Sequence, residues 1–362
     1  MDVPALRWVD PPAGPAIALL DQTRLPAEEA VVTCSDVPEL VDAIRRLVVR
    51  GAPLLGVAGA YGVALAAYRD DDVPSAAAMI EAARPTAVNL GWGTRRALAA
   101  YMAARQLRGQ DPDAKRVAAA AAVAEAASIE AADAAASQAM AAHGLALVPE
   151  GARVLTHCNT GALVSAGEGT AFAVVLAAHR AGRLAQLWID ETRPLLQGGR
   201  LTTYEAGRAG IPHSVLADCA AGSLFAAGAV DLVLIGADRI AADGSVANKV
   251  GSYSLAVLAR HHKVPFVVVA PTSTVDLSSP DGASIEVEHR RSEEVTWIAG
   301  VPVAPPGTPA FNPAFDVTPP GLITAIVTER GVAQPVTAGT LRVLGRGSDL
   351  QDGHLAAVYM ER

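Results

Sequence analysis

Two ionisable side chains in the second half of the sequence have the chemistry of a proton-transfer pair. Cys158 follows the apolar run ARVLT and lies between His157 and Asn159, and Asp238 follows the apolar run VDLVLIGA. A thiol near the start of a helix tends to have a lowered pKa, whereas burial in an apolar site raises the pKa of a carboxyl group. A thiol and a carboxyl group that face each other make a better catalytic pair than either group alone.

Each of these residues also has an ordinary structural explanation. A lone cysteine at a strand end is more often an inert buried thiol. A strand-end aspartate such as Asp238 often caps a helix or pairs with a neighbouring cation, here Arg239. The pair is nevertheless distinctive, because Cys158 has polar neighbours on both sides. Cys34 and Cys219 have no such setting, and we interpret them as structural.

A second group of residues has the chemistry needed to bind an anion. Arg50 and Arg84 lie in polar turns ahead of predicted helices, and a planar guanidinium binds phosphate oxygens bidentately. Gln197 opens the glycine-rich turn QGGR, and we expect Asn248 and Lys249 in the loop and helix that follow Asp238. An isolated lysine is usually a solvated surface residue. In an acidic protein, however, two arginines in polar turns are good candidates for a phosphate clamp.

The elements that would position these residues follow from an alternation of apolar runs and helical segments after Gly151. Five short runs rich in β-branched residues are each followed, except the last, by a helical pattern. Such βαβ repetition predicts a doubly wound parallel sheet with helices on both faces. We therefore predict an α/β, Rossmann-like domain over residues 146–362. No GxGxxG follows the first run, so the fingerprint of a dinucleotide site is absent.

The preceding residues, 1–145, have a mainly helical pattern after a short β start. Asp36 is a plausible N-cap with a proline in the first helical turn, and Gly51 is placed to end that helix. The alanine-rich run 113–143 strongly favours a further helix. We predict a separate helical domain with a boundary near residues 143–151.

Composition narrows the class of protein. Of the 362 residues 51% are hydrophobic and 18% are charged, which supports a large packed core and excludes a disordered chain. The net charge of −8 argues against a nucleic-acid-binding protein, because phosphate backbones require clustered lysine and arginine. A local basic pocket for one small phosphate is compatible with this charge.

Other features point to a protein of the cytoplasm without a membrane anchor. The three cysteines are too scattered for a disulfide framework or a structural zinc site. The N-terminus does not resemble a signal peptide, and the most apolar stretch, 54–67, is too short to span a bilayer. The histidines show no HExxH-like spacing. We therefore expect no metal and no membrane association.

Several motifs together resemble the methylthioribose-1-phosphate isomerase family. They occur in the same order over most of the chain, and the combination of HCNTG, GADRI and NPAFDVTP is highly specific. The family shares its fold group with the alpha, beta and delta subunits of the eukaryotic initiation-factor exchange complex and with archaeal ribose-1,5-bisphosphate isomerases. The matching segments are LLDQTRLP, VRGAP, RPTAVNL, THCNTG, DETRP, LQGGRLT, GADRI, VANKVGSYSLAVLA, HHKVPFVVVAP and NPAFDVTPPGLITAIVTERG.

The resemblance implies an aldose–ketose isomerase of methionine salvage that acts on a small phosphorylated sugar. It further implies that the enzyme needs no cofactor and forms a homodimer. Residue by residue, Cys158 and Asp238 match the catalytic pair of the family. The positions that match its substrate-binding residues are Arg50, Gly51, Ala52, Arg84, Gln197, Asn248 and Lys249.

Some positions depart from the family pattern and leave the substituent at the sugar 5-carbon open. Leu54 and Leu55 replace Ala-Ile, Gly91 replaces an aromatic residue, and Cys219 follows Asp218. These positions could line the pocket, and Leu54, Leu55 and Gly91 bring no charge, which favours an apolar substituent such as methylthio. Another 5-substituted or 5-deoxyribose 1-phosphate and ribose 1,5-bisphosphate are the alternative substrates. A regulatory subunit that binds sugar phosphates or nucleotides is the non-enzyme alternative, and the Cys158–Asp238 pair argues against it.

Overall fold

A computed structural model of the chain describes residues 4–10, 14–84, 86–108 and 111–345. Residues 346–362 of the predicted second domain, residues 1–3, 11–13 and 109–110 of the first, and Pro85 of the RPTAVNL motif lie outside the described residues. No helix within the described ranges is long and apolar enough to cross a membrane.

The first part of the chain is an antiparallel three-stranded sheet followed by five helices. The strands lie in the order β1-β2-β3, with Trp8 paired to Ile17 and Ile17 to Cys34. This agrees with the predicted helical region and its short β start. The elements are β1 (Leu6–Val9), β2 (Ala16–Leu20), β3 (Val31–Cys34), α1 (Val37–Arg45), α2 (Ala52–Arg69), α3 (Val73–Glu81), α4 (Val88–Arg108) and α5 (Ala114–Leu145).

The start of α1 follows the predicted capping, but its end does not. Asp36 caps the helix by accepting a hydrogen bond from the Glu39 N–H at 2.8 Å. The prediction that Gly51 ends this helix is wrong: α1 ends at Arg45, and Leu47 takes the left-handed conformation with φ 65°. Gly51, with φ 90°, instead precedes α2, which begins at Ala52.

Helix α2 forms the centre of the helical part, and every residue from 52 to 67 is buried. Its small residues allow α4 to approach closely. A Cβ atom on Gly93 of α4 would lie 2.0 Å from the Gly56 carbonyl oxygen, so only glycine fits there. The alanine-rich run folds as predicted into the long helix α5, which packs against both α2 and α4.

The second part of the chain is built on a seven-stranded sheet. Its order is β16-β15-β10-β7-β4-β5-β6, with β16 antiparallel and the other strands parallel. The predicted doubly wound parallel sheet is confirmed. The sheet and the helices around it are β4 (Ala152–Thr156), α6 (Ala171–Arg180), β5 (Leu184–Asp190), α7 (Thr203–Arg208), β6 (His213–Leu216), α8 (Ala221–Ala226), β7 (Leu232–Ile235), α9 (Ser252–His262), β10 (Phe266–Val269), β15 (Ala325–Thr328), β16 (Gly331–Ala333) and α11 (Ala338–Gly345). The strands numbered between these belong to two smaller sheets.

A smaller four-stranded sheet, in the order β11-β8-β9-β14, was not predicted from the sequence. Its strands are β8 (Arg239–Ala241), β9 (Val246–Lys249), β11 (Val275–Asp276) and β14 (Phe315–Thr318). Strand β9 pairs with β14, with Lys249 opposite Phe315. Asn248 and Lys249 therefore lie on a strand rather than in the loop and helix where we expected them. The remaining elements are α10 (Glu293–Thr296), β12 (Trp297–Ile298) and β13 (Val301–Pro302).

Candidate active site

Cys158 and Asp238 follow neighbouring strands at the point where the order of the large sheet reverses. The chain proceeds from β4 to β5 and β6 on one side, and from β7 to β10 and β15 on the other. In open α/β sheets, ligands bind outside the carboxyl ends of the strands at such a point. The fold thus brings the two candidate residues to the edge where a ligand site is expected.

The backbone at Cys158 is held in an uncommon conformation. Its φ of 63° lies in the left-handed region, which costs free energy for a residue other than glycine. Two threonines fix it: the Cys158 N–H donates to Thr192 Oγ1 at 2.8 Å, and the Thr202 hydroxyl donates to the Cys158 carbonyl at 2.6 Å. Cys158 lies in the loop before α6, as expected, but it is not close to the start of that helix, which begins only at Ala171.

The surroundings of Asp238 act on the pKa of its carboxyl group in two opposite directions. Burial raises the pKa of its carboxyl group, and the positive charges of Lys249, Arg84 and Arg50 act against that rise. Its backbone N–H donates to the Ala247 carbonyl at 2.9 Å, which ties the residue to β9. The predicted direction of the Asp238 pKa shift agrees with the structure.

Lys249 lies within electrostatic range of both candidate catalytic groups. Burial lowers the pKa of its ammonium group, and negative charge at Cys158 and Asp238 acts against that fall. The ammonium donates to the Ala314 carbonyl at 3.0 Å and lies 4.9 Å from the centre of the Phe315 ring. The Lys249 ammonium is therefore held in place by contacts within the protein, whereas an isolated lysine is usually a solvated surface residue.

The two arginines of the helical part reach the site from the segments that precede α2 and α4. Arg50 donates to Asn159 Oδ1 at 2.8 Å, and Arg84 lies 3.4 Å from Glu288, which also binds Arg290 at 2.8 Å. The Nε atoms of both Arg50 and Arg84 are buried without a hydrogen-bond partner, as is Gln197 Oε1. Buried polar groups are rarely left unpaired, so these atoms are suited to bind a polar ligand.

All nine residues predicted from the sequence line one cavity, which has about 680 Å³ of empty space including its opening to solvent. Sequence analysis missed several others. Asn159 and Thr160 belong to the THCNTG motif and Phe315 belongs to NPAFDVTP, so these three could have been included on that basis, whereas Arg290 lies in none of the motifs. The additional lining residues are Leu47, Pro53, Asn159, Thr160, Val164, Thr170, Leu195, Gly236, Ala237, Arg290 and Phe315.

The residues expected to shape the 5-carbon pocket do not line this cavity. Leu54 and Leu55 are 2% and 1% exposed and belong to the core of the helical part. A Cβ atom on Gly91 would instead meet the Arg95 side chain. The prediction was wrong because α2 is buried around its whole circumference, so closeness to Arg50 in sequence does not set the direction of a side chain. The apolar lining comes from other segments.

A buried histidine–carboxylate pair supports the segment that carries Cys158. His157 Nδ1 lies 2.9 Å from Asp190 Oδ2, and its Nε2 lies 2.8 Å from the Val250 carbonyl. Burial alone would lower the pKa of His157, but Asp190, the negative charge of the nearby Asp218 and the Val250 carbonyl together outweigh it and raise the pKa. Because both of its ring nitrogens have hydrogen-bond partners, His157 connects the end of β4 to the turn after β9.

His157, Asp190 and Asp218 are also grouped closely enough to hold a metal ion, with ligand atoms within 4.8 Å of one another. Most of their ligand atoms already have partners, although Asp190 Oδ1 is buried without one. The two Asp218 oxygens accept from the N–H groups of Thr192 and Arg193, each at 2.7 Å. A metal ion bound through His157 would have to displace one of the two hydrogen bonds that its ring nitrogens make.

A carboxylic acid, a thiol and several cationic groups around one cavity at the switch point of a parallel sheet define an enzyme that binds a small anionic ligand. The chain belongs to the Initiation factor 2 subunit family, whose family profile matches residues 48–335. Among its relatives, the methylthioribose-1-phosphate isomerase of Pelotomaculum thermopropionicum is 50% identical over 335 residues, covering 90% of each chain. The methylthioribose-1-phosphate isomerase of Anaeromyxobacter dehalogenans is 51% identical, covering 91% of this chain and 94% of the relative.

Solved structures agree with this assignment. The 5-methylthioribose 1-phosphate isomerase from Pyrococcus horikoshii superposes with a TM-score of 0.84 at 38% identity, covering 95% of this chain and 96% of that one. The translation initiation factor eIF-2B subunit delta from A. fulgidus gives a TM-score of 0.79, also at 38% identity, covering 94% and 99%. The predicted fold class and the family resemblance are both confirmed.

Proposed function

We propose that this chain is the isomerase that converts 5-methylthioribose 1-phosphate into 5-methylthioribulose 1-phosphate, a step of methionine salvage. The observation that carries the proposal is that Asp238, with its raised pKa, shares a cavity with Cys158 and with the unpaired Nε atoms of Arg50 and Arg84. Such a cavity offers an acid for the sugar and cationic donors for its phosphate.

The chemistry requires an acid because the substrate is a locked ring. Phosphorylation of the anomeric oxygen removes the free aldehyde that ordinary aldose isomerases use. In our proposal, Asp238 donates its proton to the ring oxygen as the bond between that oxygen and C1 breaks. The resulting Asp238 carboxylate then accepts the proton of the 2-hydroxyl group when C2 becomes the ketone, so the acid is regenerated within the same turnover.

The hydrogen on C2 reaches C1 by one of two routes that the site supports. In the first, the Cys158 thiolate removes the C2 proton and returns it to C1. In the second, the hydrogen moves directly from C2 to C1 as a hydride, and Cys158 provides polar or steric support. In both routes the substrate is held by the Gly51–Ala52 backbone and by five side chains, those of Arg50, Arg84, Gln197, Asn248 and Lys249.

The apolar part of the cavity lining favours an uncharged group at the 5-carbon. Leu47, Val164, Leu195 and Phe315 come from separate segments and bring no charge. Arg290 also lines the cavity, but its guanidinium is paired with Glu288 and Glu294. A second phosphate would lose its hydration without a free cationic partner, which is costly.

A panel of ribose 1-phosphates tests the proposal. The purified chain should isomerise the methylthio sugar, accept 5-deoxy analogues at kcat/KM values within about a hundredfold of it, and reject ribose 1,5-bisphosphate. Asp238→Asn provides the background rate. Comparable kcat/KM for the bisphosphate would assign the chain to the other isomerase branch, and no turnover of any sugar would favour a regulatory subunit.

We further propose that the chain acts in the cytoplasm as a homodimer. We also propose that it divides into two domains, residues 1–145 and residues 146–362. The end of α5 at Leu145 and the start of β4 at Ala152 support this division. Light scattering on the purified chain measures its mass in solution, and a mass of one chain would contradict the dimer.

A further inference from the structure

Glu205 is a buried carboxylate just outside the cavity. It lies on α7, is 7% exposed, and is not among the residues that line the cavity. One of its oxygens accepts from the Leu163 N–H at 3.2 Å, and the other accepts from Asn159 Nδ2. A Cβ atom on Gly161 would lie 2.3 Å from the carboxylate, so the glycine of the THCNTG motif leaves room for it.

Asn159 connects this carboxylate to Arg50. Its Nδ2 faces Glu205, so its Oδ1 is directed to the Arg50 guanidinium, from which it accepts a hydrogen bond at 2.8 Å. The side-chain amide has only one orientation that satisfies both neighbours, since Glu205 offers only acceptors and Arg50 only donors. Glu205 therefore fixes the orientation of the amide that holds Arg50.

We propose that Glu205 is a positioning residue that, through Asn159, holds the Arg50 guanidinium in place for the substrate phosphate. This inference rests on the proposed function, because it assigns the phosphate contact to Arg50. Glu205 does not touch the substrate itself. Its contribution is to the geometry of binding, and its loss should weaken phosphate binding more than it slows the chemical step.

The substitution Glu205→Gln tests this because an amide cannot reproduce the pattern of acceptors. If the new NH₂ group faces the Leu163 N–H, two donors oppose each other. If it faces Asn159, the Asn159 amide must turn and direct its own NH₂ group at Arg50. In either orientation a donor faces a donor, and in the second Arg50 loses its side-chain acceptor and keeps only the Asn159 backbone carbonyl at 3.5 Å.

A double substitution should restore the network. In Glu205→Gln with Asn159→Asp, the glutamine oxygen accepts from the Leu163 N–H and its NH₂ group donates to the new aspartate. The second oxygen of that aspartate accepts from Arg50. The carboxylate and the amide have exchanged places, and the net charge and every hydrogen bond of the chain from Leu163 to Arg50 are retained, while the long hydrogen bond of 3.3 Å from Asn159 Nδ2 to Thr202 Oγ1 is lost.

The experiment measures the affinity for inorganic phosphate by calorimetry and the KM and kcat for the sugar phosphate, at about pH 8. Burial raises the pKa of Glu205 to about 7, so its side chain is ionised at that pH. Glu205→Gln should weaken phosphate binding and raise KM by at least about tenfold, with kcat changed by less than about threefold. The double variant should return to within about threefold of the unsubstituted chain.

Three further variants keep the test decisive. Asn159→Ser removes the connection but leaves Glu205 in place, and it should show the same loss of phosphate affinity even if Glu205→Gln fails to fold. In an Arg50→Ala background, Glu205→Gln should cause no further loss. Glu130→Gln, at a carboxylate that pairs with Tyr61 in the helical part, is the control and should bind phosphate normally.

The outcomes separate this inference from the proposed function. Unchanged phosphate affinity in Glu205→Gln or Asn159→Ser, or a double variant no better than Glu205→Gln, would overturn the role of Glu205. A chain that turns over no sugar phosphate but loses phosphate affinity as described would overturn the proposed function and leave the role of Glu205 standing.

Discussion

The helical part and the sheet part contribute different kinds of charge to the same cavity. Arg50 and Arg84 come from the helical part, and an arginine keeps its charge at any physiological pH. The sheet part contributes Cys158, Asp238 and Lys249, which can all gain or lose a proton, and also Arg290, whose charge is paired with Glu288 and Glu294. We therefore expect the helical part to hold the anion and the sheet part to transfer protons.

The two contributions are nevertheless coupled. Burial raises the pKa of Asp238, while the positive charges of Lys249, Arg84 and Arg50 act against the rise. The binding groups of one part therefore tune the acid of the other. Substitutions that separate KM from kcat are the direct way to test whether the division between binding and chemistry holds.

The largest effect is expected at the two residues of the sheet part that we propose as catalytic. Cys158→Ser and Asp238→Asn should each lower kcat by at least about a hundredfold, the lower range for an acid–base group. Circular dichroism should remain that of the unsubstituted chain. Cys219→Ser, at an exposed cysteine, is the matched control and should keep full activity. Near-full activity of either site variant would remove that residue from the mechanism.

A smaller effect, on binding, is expected in the helical part. Arg50→Ala and Arg84→Ala should each cost about 1.5–3 kcal/mol, the range for a hydrogen bond to a charged group, and the cost should appear mostly in KM. Arg95→Ala removes an exposed arginine paired with Glu81 on the same part and should leave KM nearly unchanged. If the loss appeared in kcat with KM unaltered, the two parts would not divide binding from chemistry.

The smallest effect concerns a titratable group of the helical part that lies away from the cavity. Asp133 on α5 accepts a hydrogen bond from the Ala166 N–H at 2.7 Å. Burial raises the pKa of its carboxyl group to about 6, and negative charge at Glu329 and Glu130 adds to the rise. Between its unfolded pKa of about 4 and the folded value, the folded chain binds more protons than the unfolded chain. Stability is therefore lost as pH rises through this window.

Asp133→Asn keeps the acceptor for Ala166 but cannot ionise. The variant should be more stable than the unsubstituted chain by about 1–2 kcal/mol at pH 8, allowing for the partial exposure of Asp133, and equally stable near pH 4. Urea denaturation at the two pH values measures this. Asp231→Asn, which removes the partner of Arg153, should show the opposite sign at pH 8. A change in kcat for Asp133→Asn would contradict the separation of this group from the site.

The part of the site that could be predicted from sequence is the part fixed by strand ends. Cys158 and Asp238 follow apolar runs, and parallel strands necessarily bring their carboxyl ends to one edge. Arg290 and Phe315 could not be found in this way, because they come from a region of short, irregular elements without hydrophobic periodicity. Asn248 and Lys249 were recognised by motif, yet the pairing of β9 with β14 depends on a strand more than sixty residues away.

The fold shows the same limit. The capping of α1 by Asp36 is local and was predictable, whereas Leu47 adopts the left-handed conformation that the sequence favours at Gly51. Leu54 and Leu55 were placed near the substrate because they follow Arg50. Their side chains lie in the helical core instead, since the direction of a side chain on a wholly buried helix depends on all of its neighbours.

Several polar contacts join the two parts of the chain near the cavity, and besides the Arg84–Glu288 ion pair they include three hydrogen bonds. Arg50 binds Asn159, the Arg239 guanidinium donates to the Thr86 carbonyl at 3.0 Å, and Asn89 donates to Ser273 at 3.0 Å. Together these contacts hold the two parts of the chain against each other. Separation of the two parts would break these contacts. Loss of the Arg50–Asn159 hydrogen bond would also free Arg50 from the position in which, in our proposal, it binds the phosphate, so separation of the parts would weaken the hold on the anion.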